Sequence, residues 1–353
     1  MAREIAAFSP DVIHEHVPGF LRRQNLGLDG RRKAGAIPLV QTNVFGRQDE
    51  MLTYRASGIT SYISMTSAAQ AFQRAGRSIR REDFDFQTVV PYPSVPAPDV
   101  SAVEAAEARR RWGLESGAFV IGRFGRPDWQ KWSRLYEPIC LRAAQRHPEV
   151  RFLFQAAPGE LRERLANSPA ARNCVFLEPT QDDRELARAI AVCDAILHLS
   201  RIGESFGFSI AEAMQAAKPV IVNSSPDFDQ AQLELIRHGI EGFHASSVGA
   251  ALEAIRHFRD GRSDLATMGR AAKIRIAALA NAEDSTDKLE RVLAAAAAGG
   301  KNPFAGEDFE SVLEAAKNLR MVSHGHALNE QLELRYLSLR GRVRNRWNRL
   351  KLR

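Results

Sequence analysis

The run Cys193-Asp-Ala-Ile-Leu-His-Leu-Ser200, continued by Arg-Ile-Gly-Glu204-Ser-Phe-Gly-Phe208 and by Ser-Ile-Ala-Glu212-Ala-Met-Gln-Ala-Ala-Lys218-Pro-Val-Ile-Val222, decides how this chain folds. Its apolar stretch from Ala195 to Leu199 predicts a strand that ends at Ser200. A short loop holds Glu204 and Gly207, and a helix is predicted at once from Phe208 to Ala217. Lys218-Pro219 stops that helix, and Pro219–Val222 reads as the next strand. Strand, helix and strand in this order make a parallel βαβ unit. Glu204 then lies in the loop over the helix N-terminus, and Glu212 about one and a half turns into the helix. The amides around Ser205, Phe206, Gly207 and Phe208 are the unpaired donors of that terminus, for which a diphosphate is a natural ligand. Two separated carboxylates can accept hydrogen bonds from two sets of hydroxyls.

The same rhythm extends outward from this unit. Strands are predicted at Phe119–Gly122, Val150–Gln155 and Val175–Leu177, with helices at Ser101–Trp112, Ser133–Arg146, Asp183–Val192 and Gln230–His238. Upstream, Asp11–His14, Ile37–Val40, Ser61–Met65 and Thr88–Val90 read as strands, with a helix from Ser67 to Arg77. Between the two sets, Pro91-Tyr-Pro-Ser-Val-Pro-Ala-Pro98 packs four prolines into eight residues, which is linker chemistry. Downstream of Val248 the pattern is helical only: Val248–Arg259, Asp264–Leu279, Asp284–Ala297 and Phe309–Leu319. The expected architecture is α/β, with two Rossmann-like domains built on parallel sheets. Residues 1–98 form a partial first domain, 99–300 a ligand-binding second one, and 301–353 a helical, basic extension. A ligand is expected at the carboxyl ends of the strands.

Here the sequence resembles the GT-B glycosyltransferases of the family-4 type, which retain anomeric configuration. Their signature Ser-x(3)-Glu-x-Phe-Gly, followed by Glu-Ala-Met and Lys-Pro-Val with a Glu-x7-Glu pair inside it, stands at Ser200–Val220. The likeness continues through Asp229–Phe243, where such enzymes have a loop and helix closing the site. The resemblance implies a nucleoside-diphosphate-sugar donor, with Glu204 on the donor sugar, Glu212 on the ribose hydroxyls, and Ser205, Phe206, Gly207 and Phe208 around the donor. It implies no cofactor and no metal. A plain βαβ unit with surface glutamates is the competing structural reading.

A second signal is Phe119-Val-Ile-Gly122-Arg-Phe-Gly125-Arg126-Pro-Asp-Trp-Gln-Lys131-Trp, a strand running into a loop with two cations five residues apart. By the same resemblance Arg126 and Lys131 bind the donor diphosphate beside Gly125. Charge grows on the phosphate as the glycosidic bond breaks, and fixed cations stabilise it more in the transition state than in the ground state. Two solvated loop charges are the alternative. Arg123 is either a third cation or points away. Such enzymes often carry a histidine after the strand corresponding to Ile37–Thr42. Asn43 stands there and can hydrogen-bond a sugar hydroxyl but carry no proton. The chain also opens at Ser9-Pro-Asp-Val-Ile-His, which in the resembling enzymes lies well inside the first domain, so the first domain is expected to be incomplete.

Other chemistries lack their signatures. There is no Gly-x-Gly-x-x-Gly or Walker loop. Asp83-Phe-Asp85 and Asp227-Phe-Asp229 have metal-binding spacing in unsuitable contexts. His14-Glu-His16 lacks a third ligand, and His324-Gly-His326 reads as incidental. Three dispersed cysteines suit buried thiols in a reducing cytoplasm. No apolar run approaches the roughly 20 residues of a membrane helix, and no signal peptide is visible. The net charge of +7 sits in an acid-free tail, Arg335 to Arg353. That tail predicts either a helix packed across both domains or contact with an anionic membrane surface, and nucleic acid is not expected. Three readings stay open: an active transferase acting on an unidentified acceptor, a nucleotide-sugar-binding remnant without transfer, and a basic-tail interaction protein.

Overall fold

In the computed structural model of the 353-residue chain, residues 4, 7–17, 37–46, 58–94, 96, 98–225 and 228–319 are described. Every strand pair in it is parallel. The first sheet has the order β1 (Ile13–Val17), β2 (Leu39–Asn43), β3 (Gly58–Tyr62), β4 (Gln87–Val89). Helix α1 (Met65–Arg74) follows β3. It starts two residues before its expected position because the hydroxyl of Ser64 caps it, accepting from the Ser67 amide. The alanine-rich face of α1 buries Ala68, Ala71 and Phe72 against Tyr62 and Val89. The proline-rich segment then leads to α2 (Ala102–Arg111), which opens on a capping box formed by Ser101 and Glu104.

The second sheet contains β5 (Phe119–Arg123), β6 (Val150–Gln155), β7 (Cys174–Leu177), β8 (Ala195–His198), β10 (Val220–Val222) and β12 (Gly242–His244). Its spatial order is β7-β6-β5-β8-β10-β12. The chain therefore steps outward from β5 in one direction and then returns to start again beside it at β8. That reversal makes the crevice between the carboxyl ends of β5 and β8 the topological switch point, where open parallel sheets bind ligands.

Both faces of this sheet are apolar and covered, as parallel sheets require. Phe119, Ile121, Phe152, Phe154, Leu197 and Ile221 face α3 (Tyr136–Arg146), α4 (Gly159–Ala166) and α8 (Val248–Asp260). The alternate residues Val120, Leu153, Ile196, Val220 and Val222 face α2, α5 (Asp183–Ala191), α6 (Phe208–Gln215) and α9 (Arg262–Leu279). Between β8 and β10 the chain inserts β9 (Gly203–Glu204), which pairs with β11 (Asp229–Gln230) just before α7 (Ala231–Leu235).

After α9 the chain returns to the first sheet. Val292 and Ala296 of α10 (Ala282–Ala297) pack on Val40 and Ile59. A helix over 305–319, α11, places Ala305, Val312 and Leu319 in the cluster of Tyr62, Phe72 and Phe84. Asp308 anchors it, accepting from Thr88 at 2.7 Å, Asn302 at 3.0 Å and the Lys288 ammonium at 2.6 Å. Among the described residues no helix is long and apolar enough to cross a membrane. The basic run 335–353, Asp227 and the pair His324/His326 lie outside the described residues.

Candidate functional site

The loop after β5 is a folded platform. Asp128 Oδ1 accepts from the amides of Gln130 and Lys131 at 2.9 and 3.0 Å, turning the chain back on itself. Trp132 is buried and its indole donates to the Arg126 carbonyl at 2.8 Å. Two main-chain bonds stitch this loop to the one after β8: Ile202 to Gln130 and Ser133 to Leu199, each 3.1 Å. Tyr136 adds a third tie, donating to the Leu197 carbonyl and accepting from the Leu199 amide, both at 2.8 Å. The two arms of the switch point are thereby fixed to one another.

This platform aims Lys131 at Glu204, with Nζ to Oε2 at 2.8 Å and Nζ to the Gly203 carbonyl at 3.2 Å. The other carboxylate oxygen, Oε1, lies 2.9 Å from Nε2 of His198, and the Glu204 amide donates to Gln232 at 3.0 Å. Burial alone would raise the Glu204 carboxyl, but His198 and Lys131 outweigh it and hold it at about 2. Burial, reinforced by the Arg123 guanidinium, lowers His198 to about 4, so its imidazole is neutral at pH 7. Arg123 itself is fully buried, with its guanidinium 4.6 Å over the Trp132 ring and bonded to the Lys131 carbonyl. Its Nε and Nη1 have no hydrogen-bond partner among the described residues. With Glu204 ionised and His198 neutral, Arg123 and Lys131 leave the crevice one positive charge in excess, which suits an anion.

Past Glu204 the backbone turns through Gly207, whose φ of 98° places it in the left-handed region as the N-cap of α6. Phe208 and Ser209, the first two helical residues, have N–H groups that no carbonyl of the helix can reach. Phe206 is buried and Phe208 is 52% exposed, and the ring of Tyr92 lies within 6.1 Å of both. The Ser205 carbonyl faces the first sheet, accepting from Ser64 and Ser67 hydroxyls at 3.2 and 3.3 Å. Gly125 lies directly above the buried guanidinium, since a Cβ there would meet Arg123 Nη1 at 2.8 Å.

Glu212 is half-buried on α6 and has no hydrogen-bond or ion-pair partner among the described residues. Burial, with a contribution from Asp183, raises its carboxyl to about 7. Asn43 ends β2, is buried, and is in register with Tyr62 on β3. Of the two expected cations, the structure brings Lys131 to Glu204. Arg126 is instead 74% exposed at the loop surface, 3.8 Å from Asp128. Asp83 pairs with Arg77 and Asp85 with Lys301, so the first Asp-x-Asp is occupied in structural ion pairs. Arg123, read from sequence as either a third cation or a residue pointing away, turns inward beneath the site, and His198 and Gln232 complete it without having been expected there. For His198 the available signal was a histidine inside the apolar run Ala195–Leu199.

No curated protein matches the sequence significantly. Solved structures share the fold: HepE from Anabaena superposes with a TM-score of 0.67 at 20% identity, covering 83% of this chain and 81% of that one. A glycosyltransferase from Rickettsia africae gives 0.66 at 16% identity, covering 82% and 78%. Sucrose-phosphate synthase from Thermosynechococcus elongatus gives 0.62 at 18%, covering 82% and 74%. The α/β architecture is thus GT-B-like, with two parallel sheets and a helical C-terminal region. Residues 116–260, which include Arg123, Lys131, His198, Glu204, Glu212 and Gln232, match the family described as Glycosyl transferases group 1.

Proposed function

We propose that this chain transfers a sugar from a nucleoside-diphosphate sugar to an acceptor hydroxyl with retention of configuration. The observation that carries the reading is the positively charged crevice at the switch point, where Lys131 and Glu204 meet beside the open N-terminus of α6. In this reading the diphosphate lies against the α6 amides and Lys131, with Arg123 adding charge from beneath and Arg126 from the rim. Ionised Glu204 accepts from donor-sugar hydroxyls, Glu212 from the ribose, and Asn43 reaches the sugar from the first sheet. Gly125, Ser205, Phe206, Gly207 and Phe208 shape the walls.

The chemistry follows from where charge develops. The bond between the anomeric carbon and the phosphate oxygen breaks, and its electron pair stays on the phosphate. Lys131 and the α6 amides stabilise that charge more than they stabilise the ground state. The acceptor oxygen attacks the oxocarbenium-like carbon from the face the phosphate leaves, and its proton passes to the departing phosphate. No protein nucleophile is required. UDP-glucose is the first donor to try, because HepE of the same fold has been crystallised with UDP and with UDP-glucose.

Calorimetric titration with UDP-, GDP- and ADP-sugars tests the donor reading, with Glu212→Ala as control. One donor is expected to bind to the native chain and to lose its binding in the variant. A folded chain that binds none overturns the reading. The anomeric coupling constant of a transferred sugar decides retention. The acid-free run 335–353 offers either contact with an anionic membrane surface or a helix packed back across both domains, and a vesicle assay separates the two. For membrane contact, co-sedimentation with phosphatidylserine vesicles should fall steeply between about 50 and about 500 mM salt, as screening demands.

A further inference from the structure

The Glu204 carboxylate is held by two side chains that differ in kind. Lys131 has three N–H groups, of which one reaches Glu204 and one the Gly203 carbonyl, leaving a third for a phosphate. It serves both ends of a bound donor. His198 serves one. It is the last residue of β8 and is buried, and Glu204 Oε1 is the partner of its Nε2 at 2.9 Å. Its Nδ1 has no hydrogen-bond partner among the described residues.

A neutral imidazole carries a single N–H. Glu204 is an acceptor only, so the proton belongs on Nε2 and the lone pair on Nδ1. His198 therefore orients Glu204 without adding charge. A cation in its place would compete with the sugar hydroxyls for the carboxylate and double the excess positive charge of the crevice. An apolar residue would leave Oε1 free to swing, with Lys131 alone to restrain it.

We propose that His198 is a positioning residue for the donor-sugar subsite, fixing the Glu204 carboxylate toward sugar hydroxyls as a neutral Nε2–H donor. The inference rests on the donor-site reading above and divides its labour: Lys131 couples to the phosphates, and His198 sets the sugar.

The full chain, His198→Gln and His198→Leu are titrated with UDP and with UDP-glucose. Glutamine keeps an N–H near the Nε2 position, and leucine removes it. UDP affinity is expected to stay within about two-fold in all three. The ratio of UDP-glucose to UDP affinity is expected to fall roughly ten-fold in the leucine variant and to be restored in the glutamine variant, as for loss of a hydrogen bond to a charged group. A leucine variant with the native ratio overturns the proposal, as does an equal loss for UDP and UDP-glucose, which would mark general disturbance. A native chain that binds none of UDP-glucose, GDP-mannose and ADP-glucose overturns the donor reading and the proposal with it, so the two failures differ. Should the leucine variant not fold, histidine nitrogen-15 spectra decide, with His198→Gln assigning the resonance. A stable Nε2–H tautomer from pH 5.5 to 8 is expected, and an Nδ1–H tautomer or an ordinary titration near 6.5 would overturn the proposal.

Discussion

Glu212 and Glu204 belong to one short segment and have opposite electrostatics. Glu204 is held low by its partners, whereas Glu212, whose carboxyl has no hydrogen-bond partner among the described residues, is raised to about 7 by burial and by Asp183. A carboxylate accepts from ribose hydroxyls more strongly when ionised, by about 1 kcal/mol. UDP affinity should therefore rise roughly three- to four-fold between pH 6 and pH 8. Glu212→Gln should flatten that dependence in a calorimetric series. The stability sign is the reverse. A folded-state value above the unfolded carboxyl value means that ionised Glu212 destabilises the fold above about pH 7, and that this penalty disappears at acid pH. The glutamine variant should accordingly melt higher than the native chain at pH 8 and equally at pH 4. At this scale the sequence was informative about Glu204 and Glu212, because a strand, a glycine loop and a helix cannot place them elsewhere. It was silent about which arginine turns inward. Arg123 and Arg126 flank the same loop, and only the fold of that loop, with Trp132 under the guanidinium and Gly125 above it, selects Arg123.

Elements repeat the lesson in another form. Val150–Gln155 coincides with its predicted strand, and Phe119, Asp183, Phe208 and Val248 open their elements where periodicity and caps place them. Helix α4 was missed because Leu161 and Leu165 are its only buried side chains, too few to show a period. The β9–β11 pair was invisible because two-residue strands, Gly-Glu and Asp-Gln, have no hydrophobic pattern at all. What specifies that pair is close approach. A Cβ on Gly203 would lie 1.7 Å from the Asp229 carbonyl oxygen, and its φ is +63°. Gly203→Ala should cost about 3 kcal/mol or more through overpacking and left-handed strain together. UDP binding should fall with it, because β9 carries Glu204. Gly76 has a similar φ of +62° with nothing near its missing Cβ, so Gly76→Ala should cost only about 1 kcal/mol. Urea midpoints of the two variants measure the difference.

For the whole molecule, the first sheet is gripped at two places. Glu234 of α7 accepts from the Thr66 amide and hydroxyl at 2.8 Å, and Arg74 of α1 reaches Asp229 at 3.0 Å. These bonds set α1 beside the loop that holds Ser205. At the far end, Asp308 binds Lys288, Thr88 and Asn302 in a largely buried cluster. Removing one partner of a buried pair strands the other, so Asp308→Ala should destabilise by roughly 3 kcal/mol. Pairing it with Lys288→Met should recover part of that loss. Guanidinium titrations of the single and double variants check both statements. That α10 and α11 would cover the first sheet was not legible, since an amphipathic helix declares an apolar face but not the surface that receives it.

The return of α10 and α11 has a consequence for synthesis. A ribosome delivers β1 to β4 well before the helices that cover them, and at ordinary elongation rates the delay is roughly 10 to 50 s. During that interval Tyr62, Phe72 and Phe84 wait for Ala305, Val312 and Leu319. The nascent first sheet should thus depend on holding factors until α11 has emerged, whereas the second sheet emerges with its covering helices by the end of α9. Yield of the native chain should respond to translation speed and chaperone supply through its earliest strands.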